Sequence, residues 1–387
     1  MSNTRSPLAK LQALLRAEGQ LQAGSGMASG IVALALSTLC LLGVFAFHFP
    51  EYLTTPELRR AYDAEAMRRL MYWCMVAAGA LSLWNVIFSR ARWLAALAFA
   101  ILGLTLALGG TNVQVSDVPD GKPYIGLDWF ILDLLGSTLL FVFVEKLFAL
   151  RDQPVFRPHW QTDAQHFLVN HLIVGFILLA TNLFVHRLFG WAVNEELQSA
   201  IQSLPFVIEL FAIVLVADLV QYWTHRAYHE VPLLWRLHAV HHSAKHMDWL
   251  AGSRQHIVEL LLTRTLVLAP IFVLGFSKDI IDAYIIIVGF QAVFNHANVS
   301  VRLGPVRYLV VTPNFHHWHH SQDTEAIDRN YAAHFAFLDY LFGTAVSVDR
   351  KWPHAYGVVG DYVPEGFLRQ VAFPFRKNPT QTDRDGA

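Results

Sequence analysis

The stretch from Asp218 to His242, DLVQYWTHRAYHEVPLLWRLHAVHH, gathers His225, His229, His238, His241 and His242 into 25 residues. Read as helix, it places His225 and His229 at i and i+4, and His238, His241 and His242 at i, i+3 and i+4, so that each set projects from one face. Far downstream, TPNFHHWHHS (312–321) repeats the second spacing with His316, His319 and His320. A lone histidine is usually solvated or hydrogen-bonded. Three clusters, two with the same H-x-x-H-H spacing and all beside apolar segments, point instead to imidazoles converging on metal. Eight rings exceed the four positions of a tetrahedral zinc, and two metal ions are the simpler count.

Composition sets the solvent. The chain has 387 residues, of which 54% are hydrophobic and 15% charged, and its mean hydropathy is +0.37. That is too apolar for an ordinary soluble domain, and membrane integration follows. A net charge of -1 and the lack of any recognition motif set nucleic acid aside as a partner. Cys40 and Cys74 both lie in apolar runs, so neither a disulfide framework nor a cysteine metal site is indicated. The N-terminal segment MSNTRSPLAKLQALLRAEGQ is mildly basic and amphipathic and reads as an uncleaved anchor, because the apolar run starts only after it.

The same residues carry a family resemblance. The string D-x-x-x-Y-W-x-H-R-x-x-H (Asp218, Tyr222, Trp223, His225, Arg226, His229), then L-W-R-x-H-x-x-H-H-S from Leu234 to Ser243, resembles the fatty acid hydroxylase/sterol desaturase superfamily. SRQH (253–256), FNHANV (294–299), TPNFHHWHHS (312–321) and NYAAHFAFLDYLFGT (330–344) follow in the family's order. The resemblance covers roughly 165–350. It implies an integral-membrane non-haem di-iron enzyme that uses O2 to hydroxylate or desaturate a lipid, with two iron ions as cofactor. By the family pattern the ligands are His225, His229, His238, His241, His242, His316, His319 and His320, joined by His256 and His296. The proline that often follows the family's counterpart of His256 is Ile257 here.

Ligating imidazoles need partners that fix their tautomer. Asp218, seven residues before His225, and Glu259, three after His256, are the carboxylates expected to do this; Asp339 and Asn298 are weaker candidates. His317 lies on another helix face from its neighbours. His159, His166, His171 and His186 lack paired spacing and read as structural or interfacial, with His166 able to approach the site from the side. Arg226 and Arg236 read as partners of carboxylates or lipid headgroups.

In chain order, apolar runs long enough to span a bilayer cover Ala28–Phe47, Leu70–Phe88, Trp93–Leu108, Ile125–Leu150, Phe167–Leu183, Leu204–Trp223, Ile257–Phe276 and Ile280–Val299. Asp128, Asp133 and Glu145 fall in or near the fourth and read as facing protein or an interface. Expected domains are 1–164, a membrane region with about four transmembrane helices; 165–350, the catalytic domain; and 351–387, a polar tail. The fold class is all-α, a polytopic membrane bundle with its histidine-rich di-metal site at one membrane surface. Positive residues in short loops put that surface in the cytoplasm, as for a bacterial inner-membrane protein. The loop bearing Arg59, Arg60, Arg68 and Arg69 runs against this orientation.

Breaking an unactivated C–H bond needs a redox metal, which side chains alone do not replace. The chain has no cytochrome b5-like haem site, Rossmann fingerprint or cysteine cluster, so electrons must come from a separate partner: a ferredoxin, a cytochrome b5-like protein or a reduced pterin. Ether-lipid cleavage, as in the alkylglycerol-cleaving members of the superfamily, is the alternative within the class. A zinc-dependent membrane hydrolase is the rival outside it, disfavoured because hydrolytic zinc keeps few ligands and an open position. A metal transporter or sensor would string its ligands along a path through the membrane.

Overall fold

The computed structural model describes residues 27–54, 63–89, 92–114, 128, 134, 140–142, 144–145, 147–301, 303–346 and 351–376. The amphipathic segment 1–20, Arg59 and Arg60, Asp133, most of the span expected over 125–150, and the tail from 377 lie outside them. Among the described residues helix is the regular structure, and β pairing is confined to two isolated bridges, Ala149 with Val299 and Ser321 with Tyr356. The fold is an all-α polytopic membrane bundle. Four helical stretches, Ala64–Phe88, Arg92–Asn112, Phe206–Glu230 and Ile257–Leu274, are long and apolar enough to cross a membrane. Large apolar side chains such as Trp73, Trp84, Val207 and Ile286 stand exposed on outward faces, as a lipid environment permits.

The chain divides into two compact units, one of residues 1–135, 154–156 and 172–176, the other of 136–153, 157–171 and 177–387. In the first, α1 (Met27–His48), α2 (Ala64–Phe88) and α3 (Arg92–Ala107) pack through small residues. Ala33, Ala78, Ala95 and Ala98 are fully buried, and a Cβ on Gly30 would stand 2.7 Å from Leu94. Close backbone approach is how apolar helices gain contact where the solvent is itself apolar.

The second unit contains α4 (Trp160–Leu172) except its last residue, the latter part of α5 (Val174–Phe189), α6 (Glu195–Gln202), α7 (Phe206–Glu230), α8 (Pro232–His242), α9 (Ile257–Leu274), α10 (Lys278–His296), α11 (Pro313–His319), α12 (Phe337–Phe342) and α13 (Phe367–Ala372). The single span expected over 167–183 is two helices, α4 and α5, that break at Ile173. Helix α4 starts earlier because Asp163, His166 and Asn170, about a turn apart, form a buried polar face with partners of its own.

Helices α7, α9 and α10 share one apolar core of Ile213, Val214, Ala217, Val267, Ile271, Ile280 and Tyr284. At one end Gly275, with φ of +67°, closes α9, and Glu209 accepts hydrogen bonds from the Ser277 N–H (2.7 Å) and hydroxyl (3.0 Å). That carboxylate meets the positive end of α10. The up-and-down course of the three helices then brings the end of α7, the start of α9 and the end of α10 to the opposite side. Glu145 pins this side by accepting from the backbone N–H groups of Trp249 (2.6 Å) and Asn298 (3.0 Å). Residues 351–376 do not trail off as a polar tail: Val358, Val363 and Phe373 bury themselves against Ala239 and Val240 of α8.

Candidate metal centre

Helix α7 carries His225 and His229 in its last turns. Pro232 opens α8 at a position where its missing N–H costs nothing, and α8 ends on His241 and His242. His296 is the last residue of α10. Thr312 caps α11 by accepting from the Phe315 N–H, and this short helix presents His316 and His319, with His320 just beyond.

Nine of these imidazoles gather into two groups able to hold metal: His225, His229, His238, His242 and His319 in one, His241, His296, His316 and His320 in the other. Within each group the ligand atoms lie within 4.8 Å of one another, and every ring is buried. The H-x-x-H-H segments are split between the groups. Successive residues of a helix are about 100° apart, so His238 and His242 share a side while His241 turns away to the other centre. The same geometry sends His319 to the first centre and His316 and His320 to the second.

Hydrogen bonds set the tautomers. The Nδ1 atoms of His225, His241, His296 and His319 face the carbonyls of Tyr331 (2.7 Å), Arg254 (3.0 Å), Ala292 (2.7 Å) and Arg329 (2.6 Å). Those of His238 and His229 face carboxylates, Glu259 at 2.8 Å and Asp328 at 2.9 Å. All six partners are acceptors, so Nδ1 carries the proton and Nε2 a lone pair. Yet Nε2 of His225 lies 3.0 Å from Nε2 of His238, and Nε2 of His241 lies 3.3 Å from that of His296. Neither pair has a proton to share. Nε2 of His319 is buried without any hydrogen-bond partner.

Facing lone pairs in a dry interior repel unless a cation lies between them. Metal–nitrogen bonds of about 2.0–2.1 Å place adjacent ligands roughly 3.0–3.4 Å apart, which matches the observed spacing. The residues therefore fit a pair of metal ions with all-nitrogen ligation, and neutral imidazole suits iron, zinc, copper or nickel. Burial first, then neighbouring histidines, pushes the pKa of His238, His242 and His320 well below the ordinary histidine value, which keeps them neutral and ready to ligate.

Other residues singled out in the sequence fall elsewhere. His256 lies in neither group: its Nδ1 accepts from the Val258 N–H at 3.1 Å, capping α9, and its Nε2 reaches the Val371 carbonyl at 3.0 Å. Asp218 touches no ring of either group; it accepts from the backbone N–H groups of Ala333, His334 and Phe335 at 2.9, 3.1 and 2.6 Å. Asp339 holds the N–H groups of Tyr331 and Ala332, both at 2.8 Å, and so steadies the carbonyl that His225 uses. Asn298 binds the backbone of Arg151. His317 turns to the Tyr356 hydroxyl, 2.8 Å away, and His166 sits between the Gln255 carbonyl and Gln370.

Three supports escape sequence reading. Asp328 adopts a φ of +55° next to His229. Gly252 presses so closely on His296 that a Cβ there would lie 2.8 Å from Nδ1. Arg254, whose carbonyl orients His241, is locked by a buried network: its Nε meets Asp163 at 2.5 Å, Asp163 meets Arg157 at 2.7 Å, and Arg157 meets Asp248 at 2.7 Å.

Comparison with known proteins places this geometry. The fatty acid hydroxylase family model matches residues 210–344, which include all nine grouped histidines. The chain is 31% identical over 173 residues to ornithine lipid hydroxylase OlsE of Rhizobium tropici, covering 45% of this chain and 52% of that protein. It is 28% identical over 144 residues to the alkylglycerol monooxygenase of Homo sapiens, covering 36% of this chain and 31% of that one. A very-long-chain aldehyde decarbonylase, GL1-4 of Oryza sativa subsp. indica, is 28% identical over 138 residues, with 33% and 22% covered. The chain thus spans about half the length of the first relative and under a third of the others. No solved structure matches it. The two histidine groups, the ordered motifs and these likenesses converge: residues 210–344 form a fatty acid hydroxylase domain.

Proposed function

We propose that the protein is a membrane-bound di-iron oxygenase that uses O2 and two electrons to hydroxylate, or desaturate, a C–H bond of a lipid. The observation that carries this reading is the pairing of Nε2 lone pairs at 3.0 Å in a buried, nine-imidazole site. When bound, two iron ions supply the O2 activation that no side chain offers. The chain's own part is to hold them with neutral rings, to raise the basicity of His238 and His229 through Glu259 and Asp328, and to keep water out by burying every ligand. In hydroxylation one oxygen atom enters the lipid as a hydroxyl, and the other leaves as water with two electrons and two protons. In desaturation both leave as water.

The lipid enters sideways from the bilayer, the site faces the cytoplasm, and a ferredoxin, cytochrome b5-like protein or reduced pterin delivers the electrons. Likeness to alkylglycerol monooxygenases favours a second reading, hydroxylation beside an ether oxygen. Elemental analysis and O2 uptake on detergent-purified protein, wild type beside His238→Ala, test the proposal. About two irons per chain, lost in the variant together with O2 uptake, are expected. A protein that binds no iron pair after ferrous reconstitution would overturn it and bring the zinc hydrolase forward.

A further inference from the structure

Arg264 is the eighth of the 18 residues of α9, in the middle of a membrane-spanning helix. A cation there is costly and, in spanning helices, faces a partner or an aqueous cavity. It stands one turn before Val267 and two before Ile271, both of which pack into the core shared with α7 and α10. Its face of α9 is therefore the inward one. The side chain is nonetheless exposed. An exposed cation on the inward face of a spanning helix lines a cavity between the helices. Among the described residues Arg264 makes no ion pair or hydrogen bond, and the titratable group whose field reaches it is the hydroxyl of buried Tyr284. Five residues earlier on the same helix is Glu259, which holds His238, so this cation stands about 7–8 Å along the axis from a support of the metal centre.

We propose that Arg264 pairs with the anionic group, a carboxylate or a phosphate, of the amphiphile that occupies this cavity. An unpaired guanidinium, planar and always charged, suits bidentate recognition of either group. The inference rests on the lipid-oxygenase reading for the identity of that amphiphile as substrate. It adds the class: an anionic lipid, with its charged group held beside the metal centre and within the bilayer.

Metal-loaded protein in a neutral detergent, probed with dodecyl phosphate, dodecanoate and dodecanol, provides the test, with binding read by native mass spectrometry and thermal shift. Wild type is expected to hold one or both anions about tenfold or more tighter than the alcohol. Arg264→Met should erase that preference, and Arg264→Lys should keep part of it. Preference for phosphate points to a phospholipid source, and preference for carboxylate to an acyl or amino-acid lipid. A wild type that binds dodecanol as well as the anions overturns the proposal, and so does an Arg264→Met variant that keeps the preference. If the methionine variant does not fold, the wild-type comparison and the lysine variant still decide. Binding is read without turnover, so a protein that selects anions but consumes no O2 sinks the oxygenase reading alone, and an active oxygenase blind to the anion sinks this one alone.

Discussion

Replacing Gly252 with alanine should empty one of the two metal sites and spare the other. The added methyl would stand 2.8 Å from Nδ1 and 3.1 Å from Cγ of His296, and 3.2 Å from the Ala292 carbonyl oxygen. Ordinary contact begins near 3.4 Å, so the ring must retreat by about 0.6 Å. It cannot do so freely, because its Nδ1 is held to that same carbonyl at 2.7 Å. Overpacking of this kind costs about 1–3 kcal/mol, and each 1.4 kcal/mol carried by the ligand ring weakens metal binding about tenfold. His296 belongs with His241, His316 and His320. Ferrous titration followed by elemental analysis should therefore fall from about two ions per chain to about one at levels that fill the wild type. Gly289→Ala, where a Cβ meets nothing within 4 Å, is the control and should keep both. Two ions bound by Gly252→Ala with unchanged affinity would refute the reasoning.

Two further outcomes are expected. Glu259→Gln removes the charge on His238 Nδ1 and should weaken metal binding at the first group by about tenfold to a hundredfold, seen in competition with a chelator, with little change in melting temperature. His166 is pushed down to about 4, by burial first and by the neighbouring Arg254 charge, against the Gln370 hydrogen bond and Asp163 that raise it. Its folded-state pKa is depressed, so the unfolded chain takes the proton first and acid favours unfolding. Stability is fully retained above about 6.5 and about 3 kcal/mol is lost as pH falls toward 4. Melting curves of His166→Gln should lose that part of the slope; an unchanged slope would show that this ring does not resist protonation.

The histidine spacings made the site legible because helical period alone brings i, i+3 and i+4 together. How eight rings become two centres was not legible, since the split depends on where α7, α8, α10 and α11 meet. His296 stands alone in sequence and is as deeply placed as any clustered histidine, whereas His256, singled out with it, serves as a helix cap. Carbonyl partners, such as those of Tyr331 and Arg329, are invisible in a sequence because every residue has one. The break at Ile173 was hidden for a related reason: an apolar run shows that a span is possible, and the polar face of α4 finds its partners only in three dimensions.

The buried charges around Arg254 bear on what can fold by itself. A polypeptide cut to residues 210–344 would keep Asp248 and Arg254 and lose Arg157 and Asp163, leaving two buried ions without counter-charges. It would also lose Gln370, which donates to Ser243 at 3.1 Å, and the Val371 carbonyl beside His256. Uncompensated buried charge costs about 3–5 kcal/mol for each broken pair, a large part of a typical domain's stability. The stretch by which the family is recognised is therefore shorter than the stretch that must be made together, and the smallest autonomous piece has to begin before Arg157 and run past Phe373.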